Sequence, residues 1–271
     1  MIELESTTTP DEESECAFCG GKDSLTKQHA VPYWLMHEVH ADPTIIHSYQ
    51  LMEISSLLSG SFSFPKVIER DHENVTGFWT CDRCVNGWIH DLETEAIKPF
   101  SDLVHLPDSS VSDVLSSVDT LRPDSDVLSM GAFKTVLSCD FAVDEVHVIP
   151  EEHYRACGEQ RIPNGVSVDL GFCREPSGFR ILSGPLGNCE GDMTRCVYRV
   201  AFQSGHLIMM VRYTDGPFYD LYPGTISLYP EFRVGEELDI FRDSLEIIAW
   251  DVLALTYHNE KASDFYGLLE T

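Results

Sequence analysis

The sequence predicts an α+β protein: a small metal-bound module first, then a mixed antiparallel-sheet domain that closes on a helix. Three observations carry this. Cys16-Ala-Phe-Cys19 and Cys81-Asp-Arg-Cys84 are C-x-x-C pairs in the first third of the chain. The second half holds short β-rich runs cut by Gly, Pro and Asp. At the end, Leu245, Ile248, Ala249, Val252, Leu253 and Leu255 fall at helical spacing within 238–257.

The chain has 271 residues, enough for one large domain or two modest ones. With 43% hydrophobic residues a packed core is assured, and wholesale disorder is excluded despite a formal charge of −27. The acids are spread over both halves, and only residues 1–15 form a run of acids without a base. That stretch reads as a solvated tail. No clustered Lys/Arg patch of the kind that marks a nucleic-acid binder is present. No segment reaches the roughly 20 apolar residues of a membrane span, and the acidic N-terminus is unlike a signal peptide. The expectation is a cytoplasmic protein without a membrane partner, where paired cysteines serve as metal ligands rather than disulfides.

Residues 16–100 form one unit dense in Cys, His and Trp, with Trp34, Trp79 and Trp88 expected as core around the metal. The range 101–126 reads as a connector, with a short helix at 111–118. A helix is expected over 127–141, with Leu128, Phe133, Val136 and Leu137 on one face and Lys134 solvated. Strands are expected at 165–170, 179–182, 196–202, 206–213 and 225–229. Gln203-Ser204-Gly205 reads as the turn of a hairpin between two of them. The range 127–271 is thus one mixed domain of unassigned role.

A C-x-x-C knuckle lets two thiolates converge on a metal at about 2.3 Å, and Gly20-Gly21 supplies the freedom such a turn needs. The 61 residues between Cys19 and Cys81 exceed a zinc-ribbon gap, so a module with an insertion is expected. Cys16, Cys19, Cys81 and Cys84 are therefore assigned to a structural Zn²⁺. A closed four-thiolate site has no open position for substrate, so any chemistry must come from neighbouring residues. Cys139, Cys157, Cys173, Cys189 and Cys196 lack paired spacing and read as buried small hydrophobes.

The residues after each knuckle carry a resemblance. His29, Pro32, Trp34 and Leu35 follow the first, and Gly87, Trp88, Leu92 and Glu93 follow the second. In this order the pattern resembles the HNH (ββα-metal) endonucleases, and within them a little-characterised microbial group. Phe133-Lys134-Thr135 resembles that group's Lys-Thr helix. The resemblance implies a ββα-metal N-terminal module and a metal-dependent endonuclease that hydrolyses DNA phosphodiester bonds. It implies His29 as general base, Asn86 as the residue that braces it, and His90 in the active site. Gln28, His90 and Glu93 would be the nearest ligands for a catalytic divalent ion such as Mg²⁺. Two departures stand out: Gln28 where the family has an acid or histidine, and Val85 where it has Asn after the last knuckle cysteine. They keep a second reading open, a catalytically inactive zinc module that binds protein or nucleic acid. The acidic excess, with 6 Lys and 12 Arg, resembles proteins of a halophile. Molar salt shortens the Debye length to about 3 Å and screens repulsion between an acidic protein and DNA.

Overall fold

The computed structural model describes residues 10, 14–38, 44–49, 66–71, 76–104, 120–140, 149–186, 197–213, 225–234 and 241–242. They form a mixed α+β structure with four helices, a two-stranded ribbon and a larger sheet. Strand β1 (Leu25–His29) pairs antiparallel with β4 (Thr76–Cys81), with Leu25 opposite Cys81 and His29 opposite Thr76. Between them lie helix α1 (Tyr33–Glu38) and strands β2 (Thr44–Tyr49) and β3 (Lys66–Asp71). After β4 come one helical turn (Asp82–Cys84), a π-helical turn (Val85–Ile89) and helix α2 (His90–Val104). The order β1, β4, α2 is a ββα arrangement with a long insertion between its strands.

Helix α2 buries Ala96, Pro99, Phe100, Leu103 and Val104, the i, i+3, i+4, i+7, i+8 stripe of a helix with one face on the core. Helix α3 (Ser125–Asp140) is different. Every residue from Gly131 to Asp140 is buried, because α3 runs between α2 and β4 on one side and the large sheet on the other. Its polar groups are satisfied within the helix or by neighbours. The Ser129 hydroxyl donates to the Ser125 carbonyl (2.6 Å) and Ser138 to Lys134 O (3.1 Å), the usual i−4 back-bond. Asp140 accepts from the Tyr154 hydroxyl (2.8 Å) and from the Ile149 backbone N–H (3.3 Å). The expected helix over 127–141 is therefore present. Lys134, expected in solvent, is instead 4% exposed.

Helix α4 (Glu151–Gly158) opens with Glu151 and Glu152 at its positive N-terminal end. Strand β5 (Val166–Leu186) is the spine of the large sheet, and β6 (Val197–Tyr213) lies antiparallel along one side of it. Its other side carries β7 (Ile226–Tyr229), then β9 (Phe241–Arg242), then β2, the last two parallel to it. Strand β8 (Arg233–Val234) extends β7, and β3 extends β2. The insertion between the knuckles thus adds two strands to the sheet of the second half, and one hydrophobic core runs through both.

Two expectations change. Runs 165–170 and 179–182 are parts of one strand, and so are 196–202 and 206–213. Gln203-Ser204-Gly205 is not a hairpin turn. Gly205 takes the left-handed conformation (φ 60°), the Gln203 amide bonds the Gly205 carbonyl (2.9 Å), and the β5–β6 register shifts around Ser177, opposite Gly205. One left-handed residue with a local side-chain bond makes a bulge that lets the strand continue. Of the helix expected over 238–257, Phe241 and Arg242 form strand β9, and the rest lies outside the described residues, as does the helix at 111–118. Among the described residues no helix is long and apolar enough to cross a membrane.

Candidate metal centre and the cleft beside it

The first knuckle is a tight turn. The Cys16 N–H donates to the Gly21 carbonyl (2.8 Å), and the Gly20 N–H donates to the Cys16 carbonyl (2.8 Å). Gly20 sits at φ +69°, a conformation that side-chain-bearing residues avoid. The second knuckle follows β4, and Asp82 N–H bonds Ser24 O (3.2 Å), tying the two turns together. Beneath them Phe18 meets Phe78 (4.7 Å) and Trp88 (4.9 Å) edge to face. Trp34 and Trp88 pack on the core, while Trp79 is half-buried under the Lys27 ammonium at 5.3 Å. Helix α4 closes the first knuckle from outside: Arg155 donates to the Cys16 carbonyl (2.9 Å) and to the carboxylates of Glu15 and Glu151. The end of the acidic tail is therefore anchored at Glu15.

The ligand atoms of Cys16, Cys19, Cys81 and Cys84 all lie within 4.8 Å of one another. Cys16 Sγ is 3.8 Å from Cys84 Sγ, and Cys19 Sγ is 3.5 Å from Cys81 Sγ. A tetrahedral ion with metal–sulfur bonds of about 2.3 Å sets its sulfurs about 3.8 Å apart. Four thiols at that spacing fit a soft four-coordinate structural metal such as zinc. Burial pushes the Cys16 and Cys84 thiols up, whereas Cys19 behaves oppositely. Its partial burial also raises it, but hydrogen bonds from the Gly21 backbone, the Arg83 guanidinium and the neighbouring thiols outweigh this and bring Cys19 down to about 6. Metal binding must therefore expel protons from the buried thiols, which makes affinity fall in acid.

His29 is exposed at the end of β1, opposite Thr76. The five-residue separation from Thr76 to Cys81 puts His29 about 17 Å along the ribbon from the metal knuckles. The four-cysteine cluster and His29 thus occupy opposite ends of the ribbon. Asn86 is exposed in the π-helical turn, and His90 is exposed as the first residue of α2. Gln28 donates its amide N–H to Thr26 Oγ1 (3.1 Å). Glu93 faces a narrow cleft lined by Pro32, Trp34, Leu35, Leu92, Phe100 and Lys134, among others. In it the Lys134 ammonium bonds Glu93 Oε1 at 2.6 Å. The indole N–H of Trp34 is buried there with no partner.

The structure therefore brings the four cysteines together, and it brings the segment after His29 against the first turns of α2. Among the described residues the four-cysteine group is the one set of three or more His, Cys, Asp or Glu ligands that converges. Sequence reasoning missed the burial of Lys134 and the contact of Arg155 with the first knuckle. A lysine in an otherwise apolar stretch of helix was the available signal for the first; Arg155 carried none. Compared with protein-family models, curated proteins and solved structures, the chain matches none.

Proposed function

We propose that the chain is a zinc-stabilised endonuclease of HNH type, hydrolysing DNA phosphodiester bonds with a divalent ion such as Mg²⁺. The observation that supports this is the cleft. There Pro32, Trp34 and Leu35, three to six residues after His29, meet Leu92 and Glu93, two and three residues after His90. Two parts of the pattern some 60 residues apart thereby converge, on a ββα frame held at its other end by the cysteine cluster. In this reading His29, exposed at a strand end, takes the proton of the attacking water. Asn86, two residues past Cys84, stands at the knuckle end of the ribbon, so this reading gives it no contact with the imidazole. His90, with Gln28 or Glu93, would hold the divalent ion, which supplies charge stabilisation at the scissile phosphate.

A second reading also has an observation behind it. Glu93 is already neutralised by Lys134, and the Gln28 amide is turned to Thr26. Both supply poor ligands to a hard cation in that state, which favours an inert zinc module that binds protein or nucleic acid. One experiment separates the two. Purified chain and its His29→Ala variant are incubated with plasmid and Mg²⁺ or Mn²⁺, from low salt to molar KCl. Metal-dependent nicking that the variant loses supports the enzyme. No cutting at any salt concentration, in protein that retains its zinc, leaves the binding module.

A further inference from the structure

The four cysteines are not equivalent towards solvent. Cys16, Cys81 and Cys84 are buried, and Cys19 is exposed. Residue 21 adds to this asymmetry. A side-chain carbon at Gly21 would lie 3.4 Å from Cys19 Sγ and 3.8 Å from Cys81 Sγ, so the absence of one leaves the exposed Cys19 sulfur open on that side. The same two sulfurs are 3.5 Å apart, whereas Cys16 is paired at 3.8 Å with Cys84 deeper in the knuckle. Arg83, exposed beside the second knuckle, adds a positive charge near Cys19.

We propose that this centre is an oxidation site, at which hydrogen peroxide converts Cys19 and Cys81 to a disulfide across the two knuckles. The proposal rests on the metal reading of the cluster and is independent of the nuclease reading. The exposed Cys19 thiolate attacks one peroxide oxygen, the O–O bond breaks, and hydroxide leaves, giving a sulfenic acid. The Cys81 thiolate then attacks the Cys19 sulfur, the S–O bond breaks, and a second hydroxide leaves. The two thiolates together lose two electrons, and the peroxide gains them. Closing 3.5 Å to the roughly 2.05 Å of a disulfide is a short movement between turns that already touch. Loss of two of four ligands releases the metal. Because the new bond joins Cys19 to Cys81, the knuckles stay linked, and the oxidised chain keeps its β1–β4 ribbon.

The test uses the full chain with its metal content measured first. Hydrogen peroxide is added up to one equivalent, metal release is followed with a chromophoric chelator, and disulfides are mapped by mass spectrometry of non-reduced peptides. The expected result is a Cys19–Cys81 linkage that rises in step with metal release and is reversed by a dithiol. Gly21→Ala, which adds one carbon over the two sulfurs and leaves all four ligands in place, should slow both severalfold. Linkage within a knuckle (Cys16–Cys19 or Cys81–Cys84), oxidation at other cysteines with metal retained, or a Gly21→Ala rate equal to wild type would overturn the proposal. If the chain purifies without metal, the metal reading fails by itself. The peptide map then still decides the Cys19–Cys81 pairing.

Discussion

Gly158, the last residue of α4, faces the first knuckle so closely that its Cβ-free backbone is a packing requirement. A side-chain carbon there would lie 2.4 Å from the Phe18 carbonyl oxygen and 2.9 Å from both the carbonyl carbon and the Cβ of Phe18. Ordinary contact begins near 3.4 Å, so Gly158→Ala must separate helix and knuckle by about 1 Å. Neither side yields cheaply. Phe18 lies between Cys16 and Cys19 and is wedged against Phe78 and Trp88, and Arg155 grips the Cys16 carbonyl at 2.9 Å. Overpacking of this kind costs about 1–3 kcal/mol, a drop in melting temperature of roughly 2–10 °C for a chain of this size. The displaced atoms belong to a metal knuckle whose ligand distances tolerate only about 0.2 Å. Metal affinity should therefore fall as well. The assay is calorimetric melting with and without metal, beside competition against a chromophoric chelator. The control is Gly171→Ala in β5, whose new carbon would meet Thr225 Cγ2 at an ordinary 3.7 Å; it should melt within a degree or two of wild type. If Gly158→Ala melts and holds metal as Gly171→Ala does, the contact between α4 and the knuckle is not what sets their spacing.

Two further outcomes follow from buried charge. Lys134→Met strands the Glu93 carboxylate, which is 29% exposed, and should cost about 3 kcal/mol, the low end for a broken buried pair. Adding Glu93→Leu should restore most of it; urea midpoints that leave the single variant unchanged would count against the pair. His153 is buried against Tyr198, its Nδ1 2.8 Å from the hydroxyl, and desolvation lowers its pKa to about 4 despite the nearby Glu152. Unfolded, it titrates near 6.5, so the unfolded chain binds the proton first as pH falls. Its contribution is complete above pH 6.5 and is lost between about 6.5 and 4, by roughly 3 kcal/mol. His153→Gln should flatten that part of the stability–pH curve while keeping a polar partner for Tyr198.

Legibility in the sequence followed the range of the forces involved. The knuckles were readable because metal coordination imposes a local spacing, and C-x-x-C states it directly. Helix α3 was readable from its apolar repeat, but its central position was not. A helix buried on nearly all sides and one buried on a single face can share the same stripe, and only the partners of Lys134 and Asp140 tell them apart. The misread hairpin has the same cause. Gln203-Ser204-Gly205 has turn chemistry, and whether a left-handed glycine reverses a strand or bulges it depends on the strand beside it. Here β5 continues past the bulge and β6 continues with it. The parallel pairing of β2 with β5 joins residues more than 130 apart, and no local pattern encodes it.

That pairing changes what the metal centre does for the chain. The segment between Cys19 and Cys81 contains β2 and β3, which lie in the large sheet, so a metal ion in the cluster would fasten both ends of a loop that the sheet holds in its middle. A cross-link closing a loop of this length removes about 4 kcal/mol of unfolded-chain entropy by the disulfide relation. Charge makes this attachment difficult as well as useful. A chain of net charge −27 resists compaction, and four thiolates around one divalent ion would add two further negative charges at a single point. Of only 18 basic residues, two stand at this point: Arg83, between Cys81 and Cys84, adds positive charge near the Cys19 sulfur, and Arg155 donates to the Cys16 carbonyl from α4. Arg155 also recruits Glu15 and Glu151, so the positive charge at the knuckle organises the acidic residues around it. Arg155 thereby makes one contact the link between the candidate metal turn and the second half of the fold.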